Sequence, residues 1–212
     1  MSDLITLIDY GGSNLRSVQK ALEVVGARPV VTADPDVVRQ AARLVLPGVG
    51  AFGAGMAALR ARGLAAAARE AVEAGALLLG ICLGMQFLFD ESDEMGRHEG
   101  LGLIPGRVTR FPADLREAGR PLKVPHVGWN GIDPVGAHPL LVGVAPGAHA
   151  YFVHSYICVP LDAADVLAYA DYGEPFASVV GRGRVFGIQF HTEKSQRVGL
   201  RILSNFTTME VP

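Results

Sequence analysis

Cysteine is scarce: Cys82 and Cys158 are the only two among 212 residues, too few for the disulfide framework of a small secreted fold. The start Met1-Ser2-Asp3 also lacks the basic opening of a secretory signal, so a reducing cytoplasm is the expected setting. Basic charge is not in excess either. Lys and Arg number 19 against 21 Asp and Glu, a net charge of −2, which leaves nothing to neutralise a phosphate backbone and argues against nucleic acid as a partner. No apolar run reaches the ~20 residues of a membrane-spanning helix. The two longest, 44–59 and 74–85, fall short, and the first is cut by Pro47 and several glycines. Only 19 % of residues are charged while 50 % are apolar, so the signature of disorder is missing as well. Repeats, linkers and low-complexity tracts are absent, and one domain over residues 1–212 is expected.

What is plentiful is glycine, and its positions punctuate regular elements. Leu4 to Asp9 reads as a strand closed by Gly11-Gly12; Asn14 to Val25 has helical apolar spacing and a stop at Gly26. Arg28 to Thr32 is a second strand, Asp34-Pro35 an N-cap with a first-turn proline, and Arg43 to Leu46 a short buried strand. Leu64 to Ala74 is an alanine-rich helix, and Ala76 to Ile81 is apolar throughout, as a central parallel strand covered on both faces would be. After Glu91 the runs 106–111, 150–159, 166–170, 176–180 and 184–190 look like strands without helices between them, and Gln196 to Phe206 closes the chain as a helix. The expected fold is α/β: an open, mostly parallel sheet with helices on both faces plus an antiparallel extension, of flavodoxin-like type.

The strongest chemical signal is Gly80-Ile81-Cys82-Leu83-Gly84, between that buried strand and the helix-forming run Met85 to Phe89. Flanking glycines allow a strained strand-to-helix elbow that lifts the sulfur above the sheet, where a helix N-terminus favours the thiolate. An isolated free cysteine is ordinarily a small buried hydrophobe; the glycine frame reverses that reading for Cys82. Cys158 has no such frame and reads as structural.

A cysteine nucleophile needs a base and a group to orient the base. His191 ends the last strand, and Glu193 lies two residues on, where an extended chain would aim both side chains to one face. Taken alone, this His-x-Glu would read as solvated loop; with the elbow it reads as part of a site, since catalytic groups gather at the carboxyl ends of parallel strands. Acyl transfer also needs oxyanion donors. The N–H of Leu83, just after the nucleophile, is the first, and Pro47-Gly48-Val49-Gly50 offers a second from Val49, unless that loop is merely a turn. Its glycines would let the peptide swing between idle and donating states, making the oxyanion hole conditional on a partner.

Gly80 to Gln86 together with Gln189-Phe190-His191-Thr192-Glu193-Lys194-Ser195 resembles the class I glutamine amidotransferases, cysteine hydrolases that release ammonia from glutamine. Further blocks narrow the resemblance within that family: Ile8 to Gly11, Pro47 to Gly53, Lys123-Val124-Pro125-His126-Val127-Gly128-Trp129-Asn130 and Tyr151 to Tyr156 are similar to glutaminase subunits of imidazole glycerol phosphate synthases. The blocks span nearly the whole chain in order. Thr192 stands where the family usually has proline, and Ser13 where glycine is common. Losing the proline predicts a looser link between His191 and Glu193.

The resemblance implies roles: Cys82 attacks the glutamine side-chain amide, His191 protonates departing ammonia, Glu193 orients His191, and a glutamyl thioester is hydrolysed. Gly50, Gln86, Ser155 and Tyr156 would hold glutamine; neither metal nor cofactor is implied. The implied partner is a (β/α)₈-barrel cyclase that receives the ammonia and makes imidazole glycerol phosphate, a histidine precursor. Lys123, His126, Trp129 and Asn130 are the candidate contact residues, Trp129 being the chain's one tryptophan, and His154 is a support or interface histidine. The competing readings are an independent cysteine peptidase or deglycase-like hydrolase, a non-enzymatic interaction subunit, and a glutaminase serving another synthase, such as that of pyridoxal phosphate synthesis.

Overall fold

From Leu4 to Cys82 strands are joined by helices, the last connection by two: β1 (Leu4–Ile8), α1 (Leu15–Val24), β2 (Arg28–Thr32), α2 (Pro35–Arg39), β3 (Arg43–Gly48), α3 (Phe52–Ala61), α4 (Leu64–Glu73) and β4 (Leu77–Cys82). This computed structural model describes residues 4–12 and 14–210; the Met1-Ser2-Asp3 start and Ser13 lie outside the described residues. Asp34 caps α2 as expected, its carboxylate accepting from the Asp36 N–H at 2.9 Å. The run 44–59 splits into β3 and α3. That helix was not apparent in the sequence, because Gly53 and Gly55 lower helical propensity. Both glycines are there for close packing: a Cβ at Gly55 would lie 2.3 Å from the Phe87 ring, and one at Gly53 2.6 Å from His98.

The elbow helix is shorter than expected. α5 (Leu83–Gln86) is one turn, after which the chain enters β5 (Phe89–Ser92) and β6 (His98–Glu99). The carbonyls of Phe87 and Leu88 are taken by the N–H groups of Leu101, Leu103 and Ile104 at 2.7–3.0 Å, so the segment turns from helix to strand pairing. One turn sums to little macrodipole at its N-terminus. Then follow β7 (Ile104–Arg110), β8 (Arg116–Glu117), β9 (Arg120–Pro121), β10 (His126–Pro134), β11 (Ala148–His154), β12 (Tyr156–Pro160), β13 (Val166–Asp171), β14 (Pro175–Arg182), β15 (Val185–Ile188) and α6 (Gln196–Thr208). The run 150–159, expected as one strand, breaks at Ser155 into β11 and β12, which join different sheets.

The main sheet has nine strands in the order β11-β10-β13-β14-β15-β4-β3-β1-β2. β15, β4, β3, β1 and β2 are parallel to one another, and from β15 through β14, β13, β10 and β11 the sheet continues antiparallel. A second sheet, β12-β7-β5-β6, packs beside it. Alternation decides the layers. Leu77, Leu79 and Ile81 join Val18 and Leu22 of α1 and Ile202 and Phe206 of α6 on one face. Leu44, Leu46 and Leu78 join Val38 of α2, Met56 of α3 and Ala68 of α4 on the other. The carboxyl ends of β3, β4 and β15 therefore meet at one edge of a core buried on both sides.

Candidate active site

Cys82 ends β4 with φ 56° and ψ −112°, a backbone state that non-glycine residues occupy only at a cost of about 1–3 kcal/mol and that clusters at functional sites. The frame explains how the elbow fits. A Cβ at Gly84 would lie 1.8 Å from the Leu46 carbonyl oxygen, and one at Gly80 2.4 Å from that of Gly84. A Cβ at Gly48 would lie 2.8 Å from the Gly84 nitrogen, so all three glycines are dictated by backbone-to-backbone contact around the sulfur.

β15 runs beside β4, pairing Ile188 with Ile81, and delivers His191 to the same edge. His191, Cys82 and Leu83 line one cavity of about 280 Å³ with Val49, Gly50 and Gln86. His191 Nδ1 lies 2.8 Å from Glu193 Oε1, and Asn14 Nδ2 donates to the same oxygen at 2.6 Å. The two residues do not meet along an extended strand as expected. Thr192–Lys194 forms a 3₁₀ turn, closed by Ser195 Oγ donating to the His191 carbonyl at 2.7 Å. Packing holds this turn without a proline: Thr192 is buried, and α6 comes so close that a Cβ on Gly199 would lie 1.9 Å from the Thr192 carbonyl. Burial alone would lower the His191 pKa, but hydrogen bonds and charge from Cys82 and Glu193 outweigh it and raise it to about 9. Burial pushes the Glu193 carboxyl up, yet its bonds to His191 and Asn14 leave it below the usual carboxylate value.

Gly50, at φ 101°, opens the loop after β3, and Val49 and Leu83 both border the cavity. Beside them the Tyr10 hydroxyl is buried with no hydrogen-bond partner among the described residues. Burial pushes its pKa up to about 12, only partly opposed by the approaching Val49 N–H, which completes no hydrogen bond. Ser155 and Tyr156 line the same cavity. Gln86 uses both hydrogens of Nε2, toward Tyr156 O at 3.4 Å and Gln189 Oε1 at 3.2 Å, leaving Oε1 for a ligand.

Several residues of this site escaped the sequence reading. Asn14, the expected first residue of a helix, precedes α1 at φ 77° and makes no side-chain cap, which frees its amide for Glu193. Glu94 lines the cavity and accepts from the Phe52 N–H at 2.6 Å. Gln189, fully buried, donates to the Cys82 sulfur at 3.9 Å; its place two residues before His191 was the available signal. The contact block also needs correcting. Trp129 and Val127 face outward, 47 % and 56 % exposed, with Lys123 exposed nearby, but His126 turns inward at 3 %. It stacks on Tyr172 and Phe152, with ring centroids 4.0 and 5.1 Å away, because strand alternation puts it on the opposite face from Val127. Asn130 ties β10 to Asp171 O at 2.7 Å, and His154 is buried, as a support histidine would be.

A model of the family described as glutamine amidotransferase class-I matches residues 6–209. The chain belongs to the class-I glutamine amidotransferases. This amidotransferase is 56 % identical over 206 residues to "Imidazole glycerol phosphate synthase subunit HisH" of Syntrophotalea carbinolica, covering 97 % of this chain and 100 % of that one. It is 54 % identical over 203 residues to the protein of the same name from Geobacillus kaustophilus, covering 96 % and 95 %. Among solved structures, "Structure of PurLQS from Thermotoga maritima" is similar in fold, with TM-score 0.74 at 22 % identity over 96 % of both chains. The flavodoxin-like class I amidotransferase fold expected from the sequence is thus the fold observed.

Proposed function

We propose that this chain, as one amidotransferase domain, is the glutaminase subunit of an imidazole glycerol phosphate synthase and works through Cys82, His191 and Glu193. The observation that carries the reading is the 2.8 Å contact of His191 with Glu193 on the wall of the cavity that the Cys82 elbow enters. The Cys82 thiolate attacks the side-chain carbonyl carbon of glutamine, and the oxyanion is received by the Leu83 N–H and by that of Val49 once its peptide swings away from Tyr10. As the tetrahedral adduct collapses, the C–N bond breaks and His191 gives its proton to the leaving nitrogen. Ammonia departs and a glutamyl thioester remains. Water, deprotonated by His191, then cleaves it to glutamate and returns the thiolate. Gly50, Gln86 Oε1, Ser155 and Tyr156 hold the substrate, and the Glu94 carboxylate suits its ammonium group.

Free ammonia in water becomes ammonium, which is not nucleophilic, so the product must pass under cover to a second site. The (β/α)₈-barrel cyclase is that destination, and the apolar strip of Val127, Trp129 and Val153 on β10 and β11, exposed at 56, 47 and 37 %, is the face offered to it, with Lys123 beside it. Among the described residues no helix is long and apolar enough to cross a membrane, and a cytoplasmic complex is the proposed setting. The test is glutamine hydrolysis by the purified chain with and without the cyclase and its nucleotide ligand. Low activity alone and strong stimulation together are expected; equal rates would remove the partner from the account. In the same assay Gly50→Ala loses most of the stimulation. Its Cβ meets nothing within 4 Å, but φ 101° penalises any side chain, so the variant biases the loop. Undiminished stimulation in Gly50→Ala would end the conditional oxyanion hole.

Asn14→Ala takes one of two hydrogen bonds from Glu193 Oε1, while Oε2 already has no partner among the described residues. Asn14 does not line the cavity, so kcat should fall about tenfold with KM nearly unchanged. A change confined to KM would show that Asn14 acts on binding instead.

A further inference from the structure

One carbonyl sets the direction of a buried hydrogen-bond chain that ends on the nucleophile. The oxygen of Tyr156 can only accept. It receives His154 Nδ1 at 2.9 Å and Gln86 Nε2 at 3.4 Å, so His154 carries its proton on Nδ1 and its Nε2 is an acceptor. His126 Nδ1, 3.1 Å from that Nε2, must then be the donor. On the other side of Tyr156, the second hydrogen of Gln86 Nε2 goes to Gln189 Oε1 at 3.2 Å. That fixes the Gln189 amide with nitrogen, not oxygen, toward Cys82 Sγ at 3.9 Å. Reversing any amide would set oxygen against oxygen, or oxygen against a thiolate. His126, His154, Gln86 and Gln189 are each at most 5 % exposed, so little water reaches these bonds, and the acceptor-only Tyr156 carbonyl selects one arrangement for each.

We propose that Gln189 is a catalytic residue, an amide donor to the Cys82 sulfur, and that Gln86, His154 and His126 are positioning residues that hold it in that orientation. The inference rests on Cys82 being the nucleophile. The arrangement supplies what a one-turn α5 does not: a neutral N–H aimed at the sulfur that favours the thiolate without adding a second cation beside His191. It also starts at β10, the strand whose other face carries Val127 and Trp129.

The test is the pH dependence of Cys82 alkylation by iodoacetamide on the full chain, read by intact mass, with Cys82→Ala as the blank that reports any reaction at Cys158, which does not line the cavity. The sulfur is faced by His191 with Glu193 behind it, by Tyr10 after β1, Glu94 after β5, His154 on β11 and Cys158 on β12. All of these remain in the variants. Gln189→Met keeps the volume and removes the donor; its alkylation midpoint should rise by about one pH unit. His126→Phe keeps the stacked ring and removes the first donor of the chain; its midpoint should rise by less. A lower melting temperature with midpoints at the parent value would mean packing only and would overturn the proposal. If Gln189→Met does not fold, an unmoved midpoint in His126→Phe overturns it alone. Parent protein alkylated at Cys82 that still hydrolyses glutamine would overturn the underlying reading, an outcome distinct from inactivated parent with unmoved variants.

Discussion

Cys82→Ala, assayed with the cyclase present, should reduce glutamine hydrolysis to the buffer background, a loss on the order of 10⁴-fold or more, because no thioester can form and the remaining groups only bind. Cys82→Gly should be equally inactive yet more stable than Cys82→Ala by about 1 kcal/mol. The elbow places this residue at φ 56° and ψ −112°, and alanine keeps the Cβ that makes that conformation costly. Glycine removes a strain of about 1–3 kcal/mol, offset in part by the greater freedom it gives the unfolded chain, about 0.5–1 kcal/mol. Urea midpoints of the two variants separate these effects from chemistry. Residual turnover in Cys82→Ala would dismiss the sulfur as nucleophile; identical midpoints would dismiss the strain.

The same elbow shows why half of this fold was readable in advance. A strand buried on both faces must be apolar at every position, and Leu77 to Ile81 is; a strained corner beside backbone must be framed by glycine, and Gly80 and Gly84 are. These constraints fall on one short run of residues beside the reactive side-chain type, so the sequence carries them openly even though Gly84 answers to the distant Leu46 carbonyl. α3 was hidden because its glycines answer to Phe87 and His98, partners distant in sequence. β10 was hidden because Pro125, Gly128, Gly131 and Pro134 look like turns, whereas seven residues from His126 to Ile132 pair across to β11. The length of α5 depended on loop N–H groups that capture the Phe87 and Leu88 carbonyls.

The site divides in the same way. Cys82, His191 and Glu193 stood out because the proposed chemistry needs those residue types at strand ends. Asn14 reaches Glu193 across 179 positions, and nothing near it in the sequence announces that contact. His126 is the opposite case: period-two alternation along 126–130 already separated it from Val127 and Trp129, and reading the block as one surface overlooked the pleat.

That buried histidine pair should govern how the protein fails in acid. Burial lowers the His154 pKa to about 3, aided by the neighbouring His126 and His191, and burial lowers that of His126 to about 4. Both folded values lie below the ordinary 6.5. The unfolded chain therefore takes up protons that the folded one refuses, and the stability, complete above about pH 6.5, is lost as pH falls toward 4. At about 1.36 kcal/mol per unit and group, the two together remove on the order of 5 kcal/mol across that window, a large part of the 5–15 kcal/mol typical of a domain. His191 works in the other direction: raised to about 9, it stabilises the fold below 6.5 and that contribution fades as pH climbs through 9. Stability should thus peak near neutrality. His126→Phe keeps the stack on Tyr172 and Phe152 but orphans His154 Nε2, so it should cost about 1–3 kcal/mol at pH 7 while removing roughly half of the acid slope. The parent and variant curves from urea unfolding should converge between pH 6.5 and 4.5. Curves that stay parallel would mean that other groups, not this pair, set the acid limit.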